Sequence, residues 1–155
     1  GRFDLGFYTL NFARMYFGTD IVRTLTNCHL GPTGMDLQES ISLSYADGKM
    51  ANLQAGALCL NDRQGIISGT ECYIRVDNIN CPEVIEVYRN YELVERHVKP
   101  DDMVNGYEYQ VLECMRCIRE GLLESPMMPH EETISIMKQM DELRKEWGVE
   151  YPYDE

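Results

Sequence analysis

Four residues near the start of the chain, Asp4, Tyr8, Asn11 and Arg14, combine polar and aromatic side chains at the spacing of a helix. Residues four apart lie on one helix face, so the Asp4 carboxylate can lead or cap a first turn from which the Tyr8 phenol projects. Carboxylates and phenols are groups that can move a proton to or from a substrate. A capping aspartate and a packing tyrosine explain the same spacing, so the pattern alone leaves a functional and a structural interpretation open.

The cysteines offer a second candidate chemistry, because Cys114 and Cys117 have the spacing of a redox or metal-binding pair. The pair lies in a helical pattern with no second pair and no histidine beside it, so ordinary reduced cysteines are the favoured interpretation. His29, His97 and His130 are widely separated, and none has the helical spacing of a zinc motif. We therefore expect no metal site.

Two other familiar sites are disfavoured by spacing. Cys28, His29 and Asp36 supply the residue types of a catalytic triad, but neighbouring side chains on a strand point to opposite faces. The nucleotide-binding patterns GxGxxG and GxxxxGK[ST] do not occur. We expect no nucleotide cofactor to bind this chain alone.

Composition and charge restrict the class of protein. The 155 residues, of which 44% are hydrophobic and 26% charged, predict one globular domain spanning residues 1–155. A net charge of −12 repels phosphate backbones and anionic lipid, so nucleic acid and membranes are not expected partners. No apolar run approaches the roughly 18 residues of a membrane span, and no signal-peptide pattern opens the chain. We expect a cytoplasmic location, and the missing initiator Met suggests a fragment or a processed chain.

The apolar pattern predicts the elements that must position the first cluster. The chain is expected to begin with a helix from Asp4 to Gly18, to continue with strands and turns from Ile21 to about Val98, and to end with helices from Tyr107 to Gly121 and from Glu131 to Trp147. This order predicts an α+β domain. Its helices should pack on one face of a largely antiparallel, open sheet of six or more strands.

One strand and two helices carry the clearest patterns. From Leu37 to Tyr45, apolar residues alternate with serines and Gln38, and Asp47-Gly48 supplies the positive φ of a hairpin turn. Both C-terminal helices carry a stripe typical of a helix packed on a core. The stripes are Val111, Met115, Ile118 and Leu122 in the first helix, and Ile136, Met140, Leu143 and Trp147 in the second.

The face of the sheet opposite the helices has two interpretations. Its serines and glutamines can face water, or its larger side chains can form an association surface. The candidates for such a surface are Tyr45, Tyr73, Tyr88, Tyr91 and Met50.

The segment that carries the first cluster also resembles a known family. Asp4-Leu-Gly-Phe-Tyr8 followed by Ala13 and Gly18 resembles the pattern D-hydrophobic-G-x-[YH]-x-x-x-x-A-x-x-x-x-G. That pattern opens the C-terminal domain of the glucose–fructose oxidoreductase, inositol dehydrogenase and MocA family. Further similarity lies at the other end of the chain, and the resemblance covers essentially the whole of it. The similar segments there are Gly106-Tyr-Glu-Tyr109, Glu120 to Pro129, Met140 to Arg144, Trp147-Gly148 and Tyr151-Pro152.

The resemblance implies a larger parent protein. Members of the family carry an N-terminal dinucleotide-binding domain with a glycine-rich loop and a Glu-Lys-Pro segment whose lysine takes part in catalysis, and both would precede Gly1. The implied parent is an NAD- or NADP-dependent oxidoreductase that moves hydride between the nicotinamide and a sugar, polyol or diol. The chain alone would be inactive. The alternative is a non-catalytic relative that keeps the fold for binding or regulation.

The resemblance also assigns roles to the first cluster. Tyr8 falls at the family's [YH] position and would exchange a proton with the substrate oxygen, helped by the upstream lysine because a phenol ordinarily titrates near pH ~10. Asp4 would position the substrate or the start of the helix, and Arg14 would border the substrate pocket or form a surface ion pair. Asn11 stands where inositol-type members have an acidic residue, which favours a dihydrodiol- or sugar-dehydrogenase-like mechanism. The family sheet commonly associates through its open face, so a homo-oligomer is implied.

Overall fold

The computed structural model describes the backbone of residues 3–150 and the side chains from residue 6 to residue 150. Its elements are α1 (Phe3–Phe17), β1 (Ile21–Leu30), β2 (Asp36–Tyr45), β3 (Met50–Gly56), β4 (Gly65–Ser68), β5 (Cys72–Val76), β6 (Val84–Arg89), β7 (Glu92–Val98), α2 (Tyr107–Glu120) and α3 (His130–Trp147). They form two compact units. Within the described residues, unit 1 runs to Leu60 and resumes at Thr133, and unit 2 is Asn61–Glu132.

Unit 1 contains an antiparallel sheet in the order β1-β2-β3, with β2 at its centre. The alternation predicted for β2 is confirmed, since Ile41 and Leu43 are buried while Ser40 is exposed. The register pairs Leu43 with Ala51 on β3, and Gly48 at the hairpin turn has φ 89°. The Asp-Gly turn therefore sets the pairing of β2 with β3, as its sequence predicts.

Helices α1 and α3 supply the rest of this core. Leu10 from α1 and Ile136, Met140 and Leu143 from α3 are buried against the inward face of the sheet. The predicted stripe of α3 and the packing of helices on one sheet face are therefore confirmed in unit 1. Tyr45 corrects one expectation: it is only 3% exposed and belongs to this core, so it is not part of an open association face.

The strands do not form a single sheet of six or more. Unit 2 has its own four-stranded antiparallel sheet in the order β4-β5-β6-β7. Between β3 and β4 the backbone N–H groups of Arg63 and Gln64 donate to the side chains of Asn61 and Asp62, and Arg63 has φ 55°. Such local side-chain bonds compete with strand pairing, so this segment connects two sheets.

The apolar stripe of α2, which the sequence predicts to pack on a core, is largely exposed. Val111 is 57% exposed and Ile118 is 78% exposed, while Cys117 is the residue of α2 that is buried. Helical periodicity specifies that a helix has an apolar face but not which element covers that face. Among the described residues, none of the helices is both long enough and apolar enough to cross a membrane.

Candidate functional site

Helix α1 presents Tyr8 to solvent while the opposite side of the helix is fixed in the core. The Tyr8 side chain is 42% exposed, whereas Leu10 and Ala13 are 1% and 5% exposed. The Tyr8 ring meets the ring of Phe7 edge to face, with 6.1 Å between centroids. A phenol on a helix anchored in this way is held in one place but remains accessible to a ligand.

Asn11 lies one turn after Tyr8, on the less buried side of the helix. Its Nδ2 donates to the carbonyl oxygen of Phe7 at 2.9 Å. The amide nitrogen is therefore engaged with the backbone of the turn that carries Tyr8.

Arg14 lies in a different environment from Tyr8, six residues or about 240° further round the helix. Its side chain is only 6% exposed, so Arg14 does not lie at the surface, where the sequence interpretation placed it in an ion pair. Nη1 donates to Oε1 of Gln139 at 2.8 Å and Nη2 donates to Oγ of Ser135 at 2.7 Å. Arg14 therefore fastens α1 to α3.

Of the four sequence-predicted site residues, the structure brings Tyr8 and Asn11 together and places Arg14 on the buried side of α1. Asp4 is within the range of α1, but its side chain lies outside the described residues.

Sequence reasoning missed a pair of buried carboxyl groups behind α1. Asp36 and Glu39 on β2 are each 8% exposed. The signal in the sequence was a charged residue at an apolar position of the strand alternation, since Glu39 has the same phase as Ile41 and Leu43. Buried carboxyl groups are costly unless they are paired or protonated, so the pair is unusual.

A cavity of about 20 Å³ lies beside the two carboxyl groups, within unit 1. Its walls are formed by α1, β2, α3 and the short segment that follows α3. The lining residues are Gly6, Leu10, Asp36, Glu39, Ile41, Met140, Leu143, Arg144, Trp147 and Val149. Burial, and secondly the Asp36 carboxylate, raise the pKa of Glu39 to about 7. Near neutral pH this carboxyl group therefore exists in both protonation states.

The thiol of Cys28 is not activated. Cys28 pairs across the strands with Glu39, and His29 pairs with exposed Gln38, so Cys28 and His29 lie on opposite faces as expected. Burial, followed by Asp36 and Glu39, raises the pKa of Cys28 to about 11, so its thiol stays protonated and is a weak nucleophile.

The cysteine pair in α2 is divided between two environments. Cys114 is exposed, whereas Cys117 is buried beside Glu113. Burial and the hydrogen bond with Glu113 raise the pKa of Cys117. Within the described residues, no three His, Cys, Asp or Glu side chains are grouped so that they could hold a metal ion.

The one strand-to-helix turn among the described residues does not have the form of a pyrophosphate site. A pyrophosphate needs an open glycine turn between a strand and a helix N-terminus. In the described chain a strand leads directly into a helix at one place, from β7 to α2, where Gly106 precedes the helix. A Cβ on Gly106 would lie 2.9 Å from Sγ of Cys81, so that turn is filled by a side chain.

Comparison with known proteins identifies relatives along nearly the whole chain. The chain is 27% identical over 159 residues to a mouse trans-1,2-dihydrobenzene-1,2-diol dehydrogenase, covering 99% of this chain and 48% of that protein. It is 31% identical over 153 residues to the NADP⁺-dependent scyllo-inositol 2-dehydrogenase IolU of Bacillus subtilis, covering 98% and 45%. The chain thus spans about half the length of these relatives. No protein-family model matches it.

Solved structures share the fold. The aldose-aldose oxidoreductase of Caulobacter crescentus aligns with a TM-score of 0.76 and 17% identity, over 92% of this chain and 43% of that one. A 3-ketoreductase from Actinomadura kijaniata aligns with a TM-score of 0.66 and 16% identity, over 88% and 42%. In sequence and in fold, this chain is therefore related to the C-terminal domain of the glucose–fructose oxidoreductase, inositol dehydrogenase and MocA family of oxidoreductases.

Proposed function

We propose that residues 1–155 are the substrate-binding and oligomerisation domain of an NAD- or NADP-dependent oxidoreductase that acts on a sugar, polyol or diol. Tyr8 is the catalytic residue in this proposal and exchanges a proton with the substrate oxygen. Asp4, Asn11 and Arg14 contribute to substrate binding in this proposal. The contribution of Arg14 is indirect, because its buried side chain holds α1 on α3. The observation that carries the proposal is the accessible Tyr8 phenol on a helix whose other side is buried.

The cofactor in this proposal is bound by a dinucleotide-binding half upstream of this chain, because the described residues offer it no glycine turn. That cofactor accepts or donates the hydride, and this chain binds and orients the substrate. The chain alone then binds no nucleotide and is inactive. Its described cysteines are free thiols, which supports a cytoplasmic location.

The experiment starts by reading the coding DNA upstream of the Gly1 codon, where we expect an open frame that encodes GxGxxG after a strand and Glu-Lys-Pro shortly before Gly1. The parent protein is then assayed with NAD⁺ and NADP⁺ on sugars, polyols and dihydrodiols. Tyr8→Phe is expected to lower kcat by at least about 100-fold, because it removes the group that moves the proton.

Tyr16→Phe is the matched control, since Tyr16 lies on the same helix and is 41% exposed. Its kcat should stay close to that of the parent. An unchanged kcat in Tyr8→Phe would refute the role of Tyr8.

A second candidate function is a non-catalytic binding or regulatory domain of the same fold. The neutral amide of Asn11, engaged with the Phe7 carbonyl oxygen, favours it because an acid–base pair with residue 8 is then missing. A parent that is inactive on the whole panel but binds one of the compounds would support this candidate.

The proposed partner of the domain is a second copy, bound through the open face of the unit 1 sheet. The pairing register places alternate residues of β1, β2 and β3 on that face, and most of their side chains are uncharged. Leu25 is 53% exposed and Met50 is 65% exposed there. Uncharged and partly apolar surface is cheaper to remove from water than charged surface, so this face suits association in a chain with a net charge of −12.

A further inference from the structure

The carboxyl group of Glu39 packs directly against the backbone of α1 at Gly6. A Cβ on Gly6 would overlap Oε1 of Glu39 and lie 3.0 Å from its carboxyl carbon. Glycine in a helix costs about 1 kcal/mol relative to alanine, so a glycine here needs a reason. The space taken by Glu39 is that reason, and the contact lies two residues before Tyr8.

Gly6, Glu39 and Asp36 all line the same cavity. Asp36 is buried, and its Oδ1 has no hydrogen-bond partner among the side chains and backbone that the structure describes. The cavity has a volume of about 20 Å³ and its accessible lining is almost entirely apolar, so it offers little hydration to a charged group. Glu39 therefore lies near a second buried carboxyl group in a site with little hydration.

The groups that face Glu39 make its ionised form unfavourable on most sides. β1 contributes the thiol of Cys28 directly opposite, β2 contributes Asp36, and β3 contributes the apolar Ala55. α3 contributes Arg144, which lines the cavity and pairs with Asp141 at 3.5 Å. A negative charge on Glu39 would thus lie beside a second carboxylate in a poorly hydrated site.

We propose that Glu39 is a positioning residue for Tyr8. Its carboxyl group, held between the Gly6 backbone and Asp36, fixes the position of the first turns of α1. Gain or loss of the carboxyl proton shifts these turns. When neutral, the carboxyl packs against Gly6. When ionised, it is poorly hydrated and repelled by the Asp36 carboxylate, and the resulting change in its position changes the support of α1. Its catalytic meaning rests on the proposed function, whereas the displacement of Tyr8 does not.

The test follows the Tyr8 ring by nuclear magnetic resonance in the intact chain with isotope-labelled tyrosine. The Tyr8 signal is assigned by its loss in Tyr8→Phe, and the pH is varied from about 5 to about 9. We expect the Tyr8 signal to shift with a midpoint near 7, the value at which Glu39 exchanges its proton. In Glu39→Gln the signal should stay at its low-pH position, because glutamine mimics the neutral carboxyl in shape.

Two controls separate this coupling from other titrations. Glu86→Gln removes another buried carboxylate, in unit 2, and should leave the shift intact. His29→Gln tests the histidine next to Cys28, because histidines titrate in the same range, and should also leave it intact.

A Tyr8 signal in the unaltered chain that does not titrate between about pH 6 and about pH 8 would overturn the proposal, whatever the variants do. A shift that persists in Glu39→Gln, or is lost in His29→Gln, would overturn it equally. No substrate or nucleotide enters the experiment, so failure of the proposed function would not affect its outcome.

Discussion

At the scale of single residues, helix α1 carries one accessible polar side chain, Tyr8, and one buried polar side chain, Arg14. Tyr8 faces outward and is accessible, whereas Arg14 faces inward and bonds to Gln139 and Ser135. The family motif singles out Tyr8 and the helical spacing singles out Arg14, but neither specifies which side chain faces the core. Helical periodicity separates them, and the burial of Arg14 indicates that its first effect is on the position of α1.

The raised pKa of Glu39 predicts how stability depends on pH. A carboxyl group with a higher pKa in the folded than in the unfolded state holds its proton in the fold, so stability is greatest below the unfolded value of 4.5 and is lost as the pH rises to about 7. We expect the free energy of unfolding to fall by up to about 3 kcal/mol over that range in the unaltered chain. Urea unfolding at a series of pH values measures it.

Glu39→Gln should remove this slope, and a slope that survives the substitution would contradict the prediction. Glu113 does not contribute to the change in the free energy of unfolding between pH 4.5 and pH 7. Its bonds to Arg116 and Ser125 lower its pKa to about 2, so the stability it contributes is lost only in acid, as the pH falls from 4.5 towards 2.

At the scale of elements, the contact between α1 and β2 is predicted to reverse the ordinary effect of a Gly-to-Ala change. Alanine favours a helix over glycine by about 1 kcal/mol. At Gly6 the added methyl group would displace Glu39, so we expect Gly6→Ala to destabilise the chain by about 1–3 kcal/mol. Denaturant unfolding measures the change.

A double-mutant cycle with Glu39→Ala is the control for this prediction. Once the Glu39 side chain is shortened, Gly6→Ala should become neutral or stabilising. Equal costs of Gly6→Ala in both backgrounds would show that Glu39 is not what requires the glycine.

The two C-terminal helices give a matched pair of isoleucines. Ile136 of α3 is fully buried, and Ile136→Ala should cost about 2–5 kcal/mol because it leaves a cavity in the unit 1 core. Ile118 of α2 is 78% exposed, and Ile118→Ala should change stability by less than about 0.5 kcal/mol. Thermal unfolding compares them. A large loss in Ile118→Ala would mean that the outer face of α2 is covered in solution.

At the scale of the whole molecule, the prediction concerns association. If copies meet through the open face of the unit 1 sheet, light scattering at tens of micromolar should give at least a dimer mass, and Leu25→Arg should reduce it to that of a monomer. Charge placed on a buried interface is strongly unfavourable.

Ile118→Arg is the comparison, because it places the same charge on the exposed stripe of α2. Its mass should equal that of the unaltered chain. A monomeric mass in the unaltered chain would refute association, and loss of the dimer only in Ile118→Arg would move the interface to α2.

The sequence by itself determined the type and order of the elements, the β2 alternation, the Asp47-Gly48 hairpin and the buried stripe of α3. These features depend on local propensity and on the periods of helices and strands, which a linear pattern carries. The motif around Tyr8 likewise identified the family, because it is a local pattern.

Only the tertiary structure decided how the strands divide into two sheets, which helix stripe is covered, and what lies behind α1. Glu39 shows the reason most clearly. It lies 33 residues after Gly6 in the chain, yet the two residues are in contact in the fold. Nothing in the linear pattern specifies that contact. Contacts between distant segments depend on how elements pack, and they determine the environment, and hence the chemistry, of the residues that the sequence names.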